Sequence, residues 1–109
     1  MSYLLQFARR PDSIVRRPRH ARVDEHTRLN RPGLYGGAFV HVFVEETSKQ
    51  CRRDPRTELT IADCDNEITL EFSLETAQLR ENSLFKIDTL LAALHRFRDA
   101  LAAEAELRT

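Results

Sequence analysis

The stretch EITLEFSLETAQLRENSL, residues 67–84, changes its hydrophobic period midway, and this change decides the fold class. In its first half apolar and polar residues alternate, which is typical of an antiparallel strand with one buried face. After Leu74 the apolar spacing becomes helical, and Thr76 is a suitable N-cap for the helix that follows. A strand followed directly by a long helix predicts an α+β protein. The apolar residues of the strand are Ile68, Leu70, Phe72 and Leu74.

The segment after Thr76 predicts one long C-terminal helix. It contains neither Gly nor Pro up to Leu107, and it has a second candidate start at Asn82 and Ser83. Its apolar residues recur every three or four positions and so share one side of the helix, which we call the helix stripe and expect to be the core. The helix stripe consists of Leu84, Ile87, Leu90, Leu91, Leu94, Phe97 and Leu101.

Two further strands precede this one. Residues 39–44 form a short run of β-branched and aromatic residues, and residues 57–64 alternate apolar with polar positions. The polar loop 47–56 and the turn DCDN, residues 63–66, connect the three segments. We therefore predict a three-stranded antiparallel β-meander packed on the long C-terminal helix.

The beginning of the chain predicts little regular structure. Pro11, Pro18 and Pro32 interrupt it, and RPGLYGG, residues 31–37, holds all three glycines and reads as a turn before the first strand. Residues 1–37 are therefore expected to be a mostly irregular, Arg-rich N-terminal segment. Residues 38–109 hold the meander and the helix, and the two parts together are expected to form a single domain.

The first strand is apolar on both faces. If Val40, Val42 and Val44 face the helix, then Phe39, His41 and Phe43 point away from it. Two alternatives follow: the N-terminal segment covers this far face, or a second subunit does. Phe39, His41 and Phe43 are therefore candidate subunit-interface residues.

The helix is longer than the sheet that it would cover. A strand of seven residues spans about 23 Å, whereas a helix from 77 to 107 spans about 46 Å. The part of the helix stripe that overhangs the sheet, around Phe97 and Leu101, should pack on something, either residues 1–7 or a second copy. With Arg98, which interrupts the stripe, these residues are further candidates for a homodimer interface, although the stripe is too short and interrupted for a coiled coil.

Composition narrows the class of protein. The chain has 109 residues, 41% hydrophobic and 31% charged, which is typical of one globular domain. No apolar run approaches the roughly 18 residues of a membrane helix, and the N-terminal charges follow the first apolar patch, the reverse of a secretory signal. We expect a cytoplasmic protein with no membrane partner.

The search for catalytic and metal motifs predicts none. The four histidines and two cysteines show no HExxH or CxxC spacing, and Cys51 and Cys64 are expected at opposite ends of the meander, too far apart for a shared metal or a disulfide. Residues 83–86 spell SxxK, which on a helix places Ser and Lys on one face by chance. We predict no enzymatic activity, no cofactor and no metal.

Arginine is concentrated near the N-terminus. RRPDSIVRRPRHAR, residues 9–22, holds six arginines and one acid, and its densest part, Arg16, Arg17, Arg19 and Arg22, is the predicted partner- or phosphate-binding group. Three interpretations remain open: a solvated or self-docked arm, contact with an acidic protein, and contact with nucleic acid. Nucleic acid is the less favoured partner, because residues 8–34 contain no aromatic side chain for base stacking.

Two short motifs in the helix carry a resemblance. RENSL, Arg80–Leu84, and KID, Lys86–Asp88, follow a strand, and in this the segment resembles the C-terminal part of small proteins from actinobacteria and their phages. The resemblance implies a GC-rich, phage-related source and no known activity. The resulting hypothesis is a small non-catalytic interaction protein that binds an unidentified host or viral protein, with homodimerisation as a further candidate property. The alternative is a nucleic-acid-binding accessory protein that uses the arginine arm.

The arginine arm yields the first testable prediction. On a DNA or RNA column at about 0.15 M salt we expect weak or no salt-dependent retention, so neutralising Arg16, Arg17, Arg19 and Arg22 together should change little there. Elution in a salt gradient measures this. Retention of the natural chain that the fourfold variant loses, with a log–log salt slope of about −3 to −4, would instead support the nucleic-acid alternative.

Overall fold

The described residues of this computed structural model, 20–34, 36–47 and 54–108, form an antiparallel sheet and one long helix. The strands are β1 (Ala21–Arg28), β2 (Phe39–Glu45), β3 (Thr57–Asp63) and β4 (Asn66–Glu71), and the helix is α1 (Ala77–Glu106). The strands pair in chain order, β1-β2-β3-β4, and each neighbouring pair is antiparallel. The α+β class, the antiparallel meander and the long C-terminal helix are confirmed.

The prediction of three strands and of a mostly irregular N-terminal segment is wrong at β1. This eight-residue strand lies within the segment 1–37, pairs with β2, and makes the described sheet four-stranded. Its sequence, ARVDEHTR, has Val23 as its one large apolar residue, so it lacks the alternation that marks a strand with a buried face. Charged side chains on a strand at the end of a sheet prevent it from pairing with other molecules, and β1 has this composition.

The connection between β1 and β2 confirms the predicted turn. The Leu34 N–H donates to the Arg31 carbonyl at 3.1 Å, with Pro32 and Gly33 between them and Gly33 at φ +92°. Proline followed by a residue of positive φ is the pattern of a type II turn. The Leu29 N–H then donates to the Ala38 carbonyl at 3.0 Å, which closes the hairpin just outside the strands.

The hairpin between β3 and β4 turns through two residues, Cys64 and Asp65, as the DCDN pattern predicts. Cys64 has φ +56°, in the left-handed region that hairpin turns of the primed types require. A cysteine in this conformation brings its Cβ close to the following carbonyl oxygen, a cost of about 1–2 kcal/mol. The turn is therefore formed at the expense of local strain.

The two faces of the sheet are buried to different extents. The face that holds Val40, Val42 and Val44 is half-buried at these residues, and Ile68 on β4 is exposed. The opposite face holds Phe39, which is 3% exposed. Aromatic and imidazole rings of adjacent strands cover one another on that face. The buried apolar residues in the described part are Ala38, Phe39 and Ala62.

The chain divides into two compact units, Met1–Glu71 and Phe72–Thr109, which contain the sheet and the helix respectively. The predicted strand 67–74 ends earlier, at Glu71, because Phe72, Ser73 and Leu74 contact the helix side chains that follow them. The predicted packing of the helix stripe on the sheet and the division into 1–37 and 38–109 stay predictions.

The strained turn generates a stability prediction. Cys64→Asn should raise the melting temperature, because Asn tolerates the left-handed conformation, and relief of about 1 kcal/mol corresponds to roughly 4–8 °C in a small domain. Cys64→Val should lower it, since β-branched side chains fit this region poorly. Asp65→Asn controls for the chemistry of Asn in the turn and should have little effect. Equal melting temperatures for the Asn and Val variants would contradict the strain assigned to Cys64.

Candidate functional site

The helix α1 begins at a well-formed cap. Thr76 has extended φ and ψ of −122° and 165°, and its hydroxyl oxygen accepts a hydrogen bond from the Leu79 N–H at 3.1 Å. The Arg80 N–H donates to the Thr76 carbonyl at 2.9 Å, the first bond of the helical series. A threonine cap of this kind stabilises a helix by about 1 kcal/mol. The predicted start at Thr76 is confirmed, and the alternative start at Ser83 is excluded.

Three side chains of the first helical turns hold the residues that precede the cap. The Ser83 hydroxyl donates to the Ser73 carbonyl at 2.7 Å, and the Arg80 Nη1 donates to the Leu74 carbonyl at 3.0 Å. The Lys86 Nζ lies 4.8 Å from the centroid of the Phe72 ring, a cation–π contact. The SxxK serine and lysine therefore both bind the preceding segment, and Ser83 is buried. The beginning of the helix is thus anchored at several points.

Beyond this anchored part, the helix stripe faces solvent. Its members Ile87 and Leu90 are half-buried, while the other five are between 49% and 65% exposed. These five are Leu84, Leu91, Leu94, Phe97 and Leu101. A contiguous apolar surface of this kind on a protein typically marks a site of interaction. These five side chains therefore form an exposed apolar surface along α1, and the packing of the stripe on the sheet stays a prediction.

Charged and polar residues border the helix stripe. Arg98 lies within it, and Asp88 and His95 follow one edge at helical spacing. Phe85, which is 70% exposed, lies on the other side of the helix by the 100° rotation per residue. The stripe can therefore offer both apolar burial and an arginine, a combination that is enriched at the centres of protein interfaces.

The sheet carries a second cluster of functional groups, on the face that holds Phe39. One row across the four strands, in register, consists of His26, His41, Thr60 and Thr69. The ring centroids of His26 and His41 lie 6.0 Å apart, and the two threonine hydroxyls are 2.9 Å apart. Thr60 and His41 are buried, His26 is half-buried and Thr69 is exposed, so the row is covered at its centre, on β2 and β3.

The neighbouring side chains complete this cluster. The His41 Nε2 lies 2.7 Å from the Asp24 Oδ1, the His26 ring stacks on Phe39 with centroids 4.4 Å apart, and the Arg56 guanidinium lies 5.0 Å from the Phe43 centroid. The Arg56 Nη2 also donates to the Glu58 Oε1 at 3.2 Å. An imidazole with a carboxylate could act as a general base, but His41 is buried, which denies a substrate access to it. We interpret the cluster as structural.

Burial lowers the pKa of His26, and the adjacent His41 imidazole lowers it further. His26 therefore stays neutral in the folded protein at pH values where an exposed histidine begins to take up a proton.

Metal ligands do not converge in the part of the chain that the structure describes: no three His, Cys, Asp or Glu side chains there could hold one ion. Cys64 is an exposed free thiol at the β3–β4 turn, and Cys51 lies outside the described residues. None of the helices described is long and apolar enough to cross a membrane.

The residues predicted to bind a partner are distributed over several surfaces. Phe39 and His41, 3% and 7% exposed, are covered within the single chain, and Phe43 is half-buried under Arg56. Phe97, Arg98 and Leu101 lie together on the exposed side of α1. Arg22 is exposed at a register shift of β1, between Ala21 and Val23, while Arg16, Arg17 and Arg19 lie outside the described residues.

Sequence reasoning missed Asp24 and His26, the two β1 side chains that meet His41 and Phe39. Their spacing of two residues places them on one face of a strand, and the Pro-Gly turn that follows returns the chain alongside. This spacing, together with the Pro-Gly turn, was the sequence signal that could have indicated a strand at β1. It was weak because a strand with almost no apolar residues resembles a loop.

No family model, curated protein or solved structure matches this chain. Function is therefore argued from the surfaces described above.

The histidine row yields a pH prediction. The folded-state pKa of His26 is below the unfolded value of about 6.5, so the unfolded chain binds the proton first as pH falls. Stability contributed by neutral His26 is present above about pH 6.5 and is lost as pH decreases toward the folded-state value. The melting temperature should therefore drop between about pH 7.5 and pH 5.5, and less so in His26→Phe, whose ring can still stack on Phe39.

The exposed histidine His20 offers the matched control. His20→Gln should keep the natural pH dependence of the melting temperature, because it changes an exposed side chain and leaves His26 stacked on Phe39. If His26→Phe and the natural chain lose the same number of degrees on acidification, His26 is not the group responsible.

Proposed function

We propose that this chain is a small non-catalytic protein-interaction protein that acts by binding a host or viral protein, and that the helix stripe is its binding surface. The observation that carries the proposal is the exposure of Leu84, Leu91, Leu94, Phe97 and Leu101 along one side of α1. Leaving this many large apolar side chains in water costs free energy that association recovers.

The chemistry of the stripe favours a protein as the ligand. Amphipathic helices bind hydrophobic grooves through side chains spaced three, four and seven residues apart, which is the spacing of the stripe. Phe97 offers a large aromatic side chain next to Arg98, whose guanidinium can form paired hydrogen bonds with a carboxylate. Nucleic acid would need a basic face, whereas the flanks of this helix hold Asp88, Asp99 and Glu104 among the basic residues.

The resemblance of Arg80–Leu84 and Lys86–Asp88 to small phage proteins supports a phage-related role, in which the bound protein comes from the virus or its host. A protein that acts by occupying another protein needs a stable binding surface and no catalytic groups. The anchored beginning of α1, held at Ser83 and Lys86, provides a rigid base for such a surface.

The test is affinity capture with two matched variants. Phe97→Glu places a charge in the helix stripe, and Phe85→Glu places the same charge on the other side of the same helix, at an equally exposed phenylalanine. A protein captured from the native host by the natural chain and by Phe85→Glu, but at least about tenfold less by Phe97→Glu, is the expected result. Far-UV circular dichroism checks that both variants keep their helix.

Two outcomes would oppose the proposal. If the capture of every protein is equal for the two variants, the helix stripe is not the binding surface. If the natural chain retains nucleic acid in a salt-dependent manner and captures no protein, the accessory role through the arginine arm replaces the interaction with a protein.

A further inference from the structure

The exposed side of α1 follows a seven-residue repeat, in which each of two positions occurs three times. Leu84, Leu91 and position 98 are spaced by seven, as are Ile87, Leu94 and Leu101. This is the spacing at which two helices pack side by side. We propose that the helix stripe binds the same stripe of a second copy of this chain, with the two helices antiparallel. The inference concerns the same surface as the proposed function but stands independently of it, since a second copy and another protein would compete for the stripe.

An antiparallel register brings apolar side chains together in layers. When the two-fold axis passes midway between Leu91 and Leu94, Leu91 packs on Leu94 of the second copy, and Leu84 packs on Leu101 of the second copy. The intervening layer joins Ile87 to Arg98 of the second copy. Each layer occurs twice, because a two-fold axis makes the contacts reciprocal.

The residues that flank these layers are also complementary. In the same register Leu90 lies beside Phe97 of the second copy, which covers the largest exposed apolar ring of the stripe. On the other flank Asp88 lies beside His95 of the second copy, a carboxylate next to an imidazole. Opposite or complementary groups at these flanking positions select the pairing and its direction.

Arg98 decides between the two possible directions. In a parallel pair the two Arg98 side chains would share one layer, and two like charges in a mostly apolar contact are strongly unfavourable. In the antiparallel register the two Arg98 positions are about 16 Å apart along the axis, beyond the screening length of about 8 Å in physiological salt. Each guanidinium then lies close to Asp88 of the second copy, which follows Ile87 on the helix.

The surface available is of the size that a dimer needs. The five exposed side chains of the stripe present on the order of 500 Å² per chain, so two chains bury on the order of 1,000 Å² before the flanks are counted, and specific interfaces bury about 1,000 Å² or more in total.

Association is tested first on the full chain. Sedimentation equilibrium over a concentration series should give a dimer. Leu94→Glu, which places a carboxylate in two layers, should raise the dissociation constant about 30-fold or more, whereas Phe85→Glu should leave it within about threefold. Arg98→Leu tests for a gain of affinity. Removal of the charge from the apolar layer should lower the dissociation constant of the dimer about tenfold, a result that misfolding cannot imitate.

Direction is tested by cross-linking in a background in which both native cysteines are serine. Leu84 and Leu101 are about 25 Å apart along one helix, so an antiparallel pair brings a cysteine at 84 next to a cysteine at 101 of the second copy. A mixture of Leu84→Cys chains and Leu101→Cys chains should form mixed disulfides, while neither chain should cross-link by itself. Disulfides formed by Leu84→Cys alone would overturn the antiparallel direction.

The outcomes separate this inference from the proposed function. A natural chain that stays monomeric at every concentration overturns the dimer. If capture of another protein is then still lost in Phe97→Glu, the proposed function stands and its partner occupies the stripe. If the chain dimerises through the stripe but captures no other protein, the inference stands and the proposed function fails.

Discussion

In-register pairing of β2 with a strand on either side is the constraint on which the sheet depends. It sets His26 of β1 and Thr60 of β3 on the same face as His41, so that rings and hydroxyls form one row across the sheet. Without β1, the Phe39 ring would lose the imidazole stacked on it at 4.4 Å. The polar edge strand therefore allows an aromatic residue on the second face of β2 to be buried within one chain.

The five residues from Phe72 to Thr76 separate two hydrogen-bonding systems. Up to Glu71 the backbone bonds to β3, whereas the Ser73 and Leu74 carbonyls accept from the side chains of Ser83 and Arg80. Such bonds satisfy backbone groups that would otherwise need water or another strand. The threonine cap then orders the first helical turn. These three hydrogen bonds thus fix where the helix begins and hold its first turns to the residues that precede it.

Five of the seven side chains of the helix stripe are exposed, and the pattern of the stripe carries the functional proposal. Apolar burial would drive association, but it does not select direction or occupant. In the proposed dimer, selection would come from Arg98 and from the flanking Asp88 and His95, because misplaced charges in an apolar contact cost more than correctly placed ones contribute. Arg98, which interrupts the apolar pattern, would therefore set the direction in which the two helices pair.

By itself the sequence determined the local features: the strands β2 and β3, the turns at Pro32–Gly33 and Cys64–Asp65, and the helix with its cap at Thr76. Each of these depends on periodicity, β-branching or turn chemistry within a few residues. Only the tertiary structure decided that ARVDEHTR is a strand, since the backbone groups of β2 with which it pairs lie outside this segment. It also decided which face of β2 is buried, because both faces are apolar and burial depends on side chains from other strands. Of the candidate site, the sequence located Phe97, Arg98 and Leu101, but their exposure together was a property of the folded chain, as burial cannot be read from one helix alone.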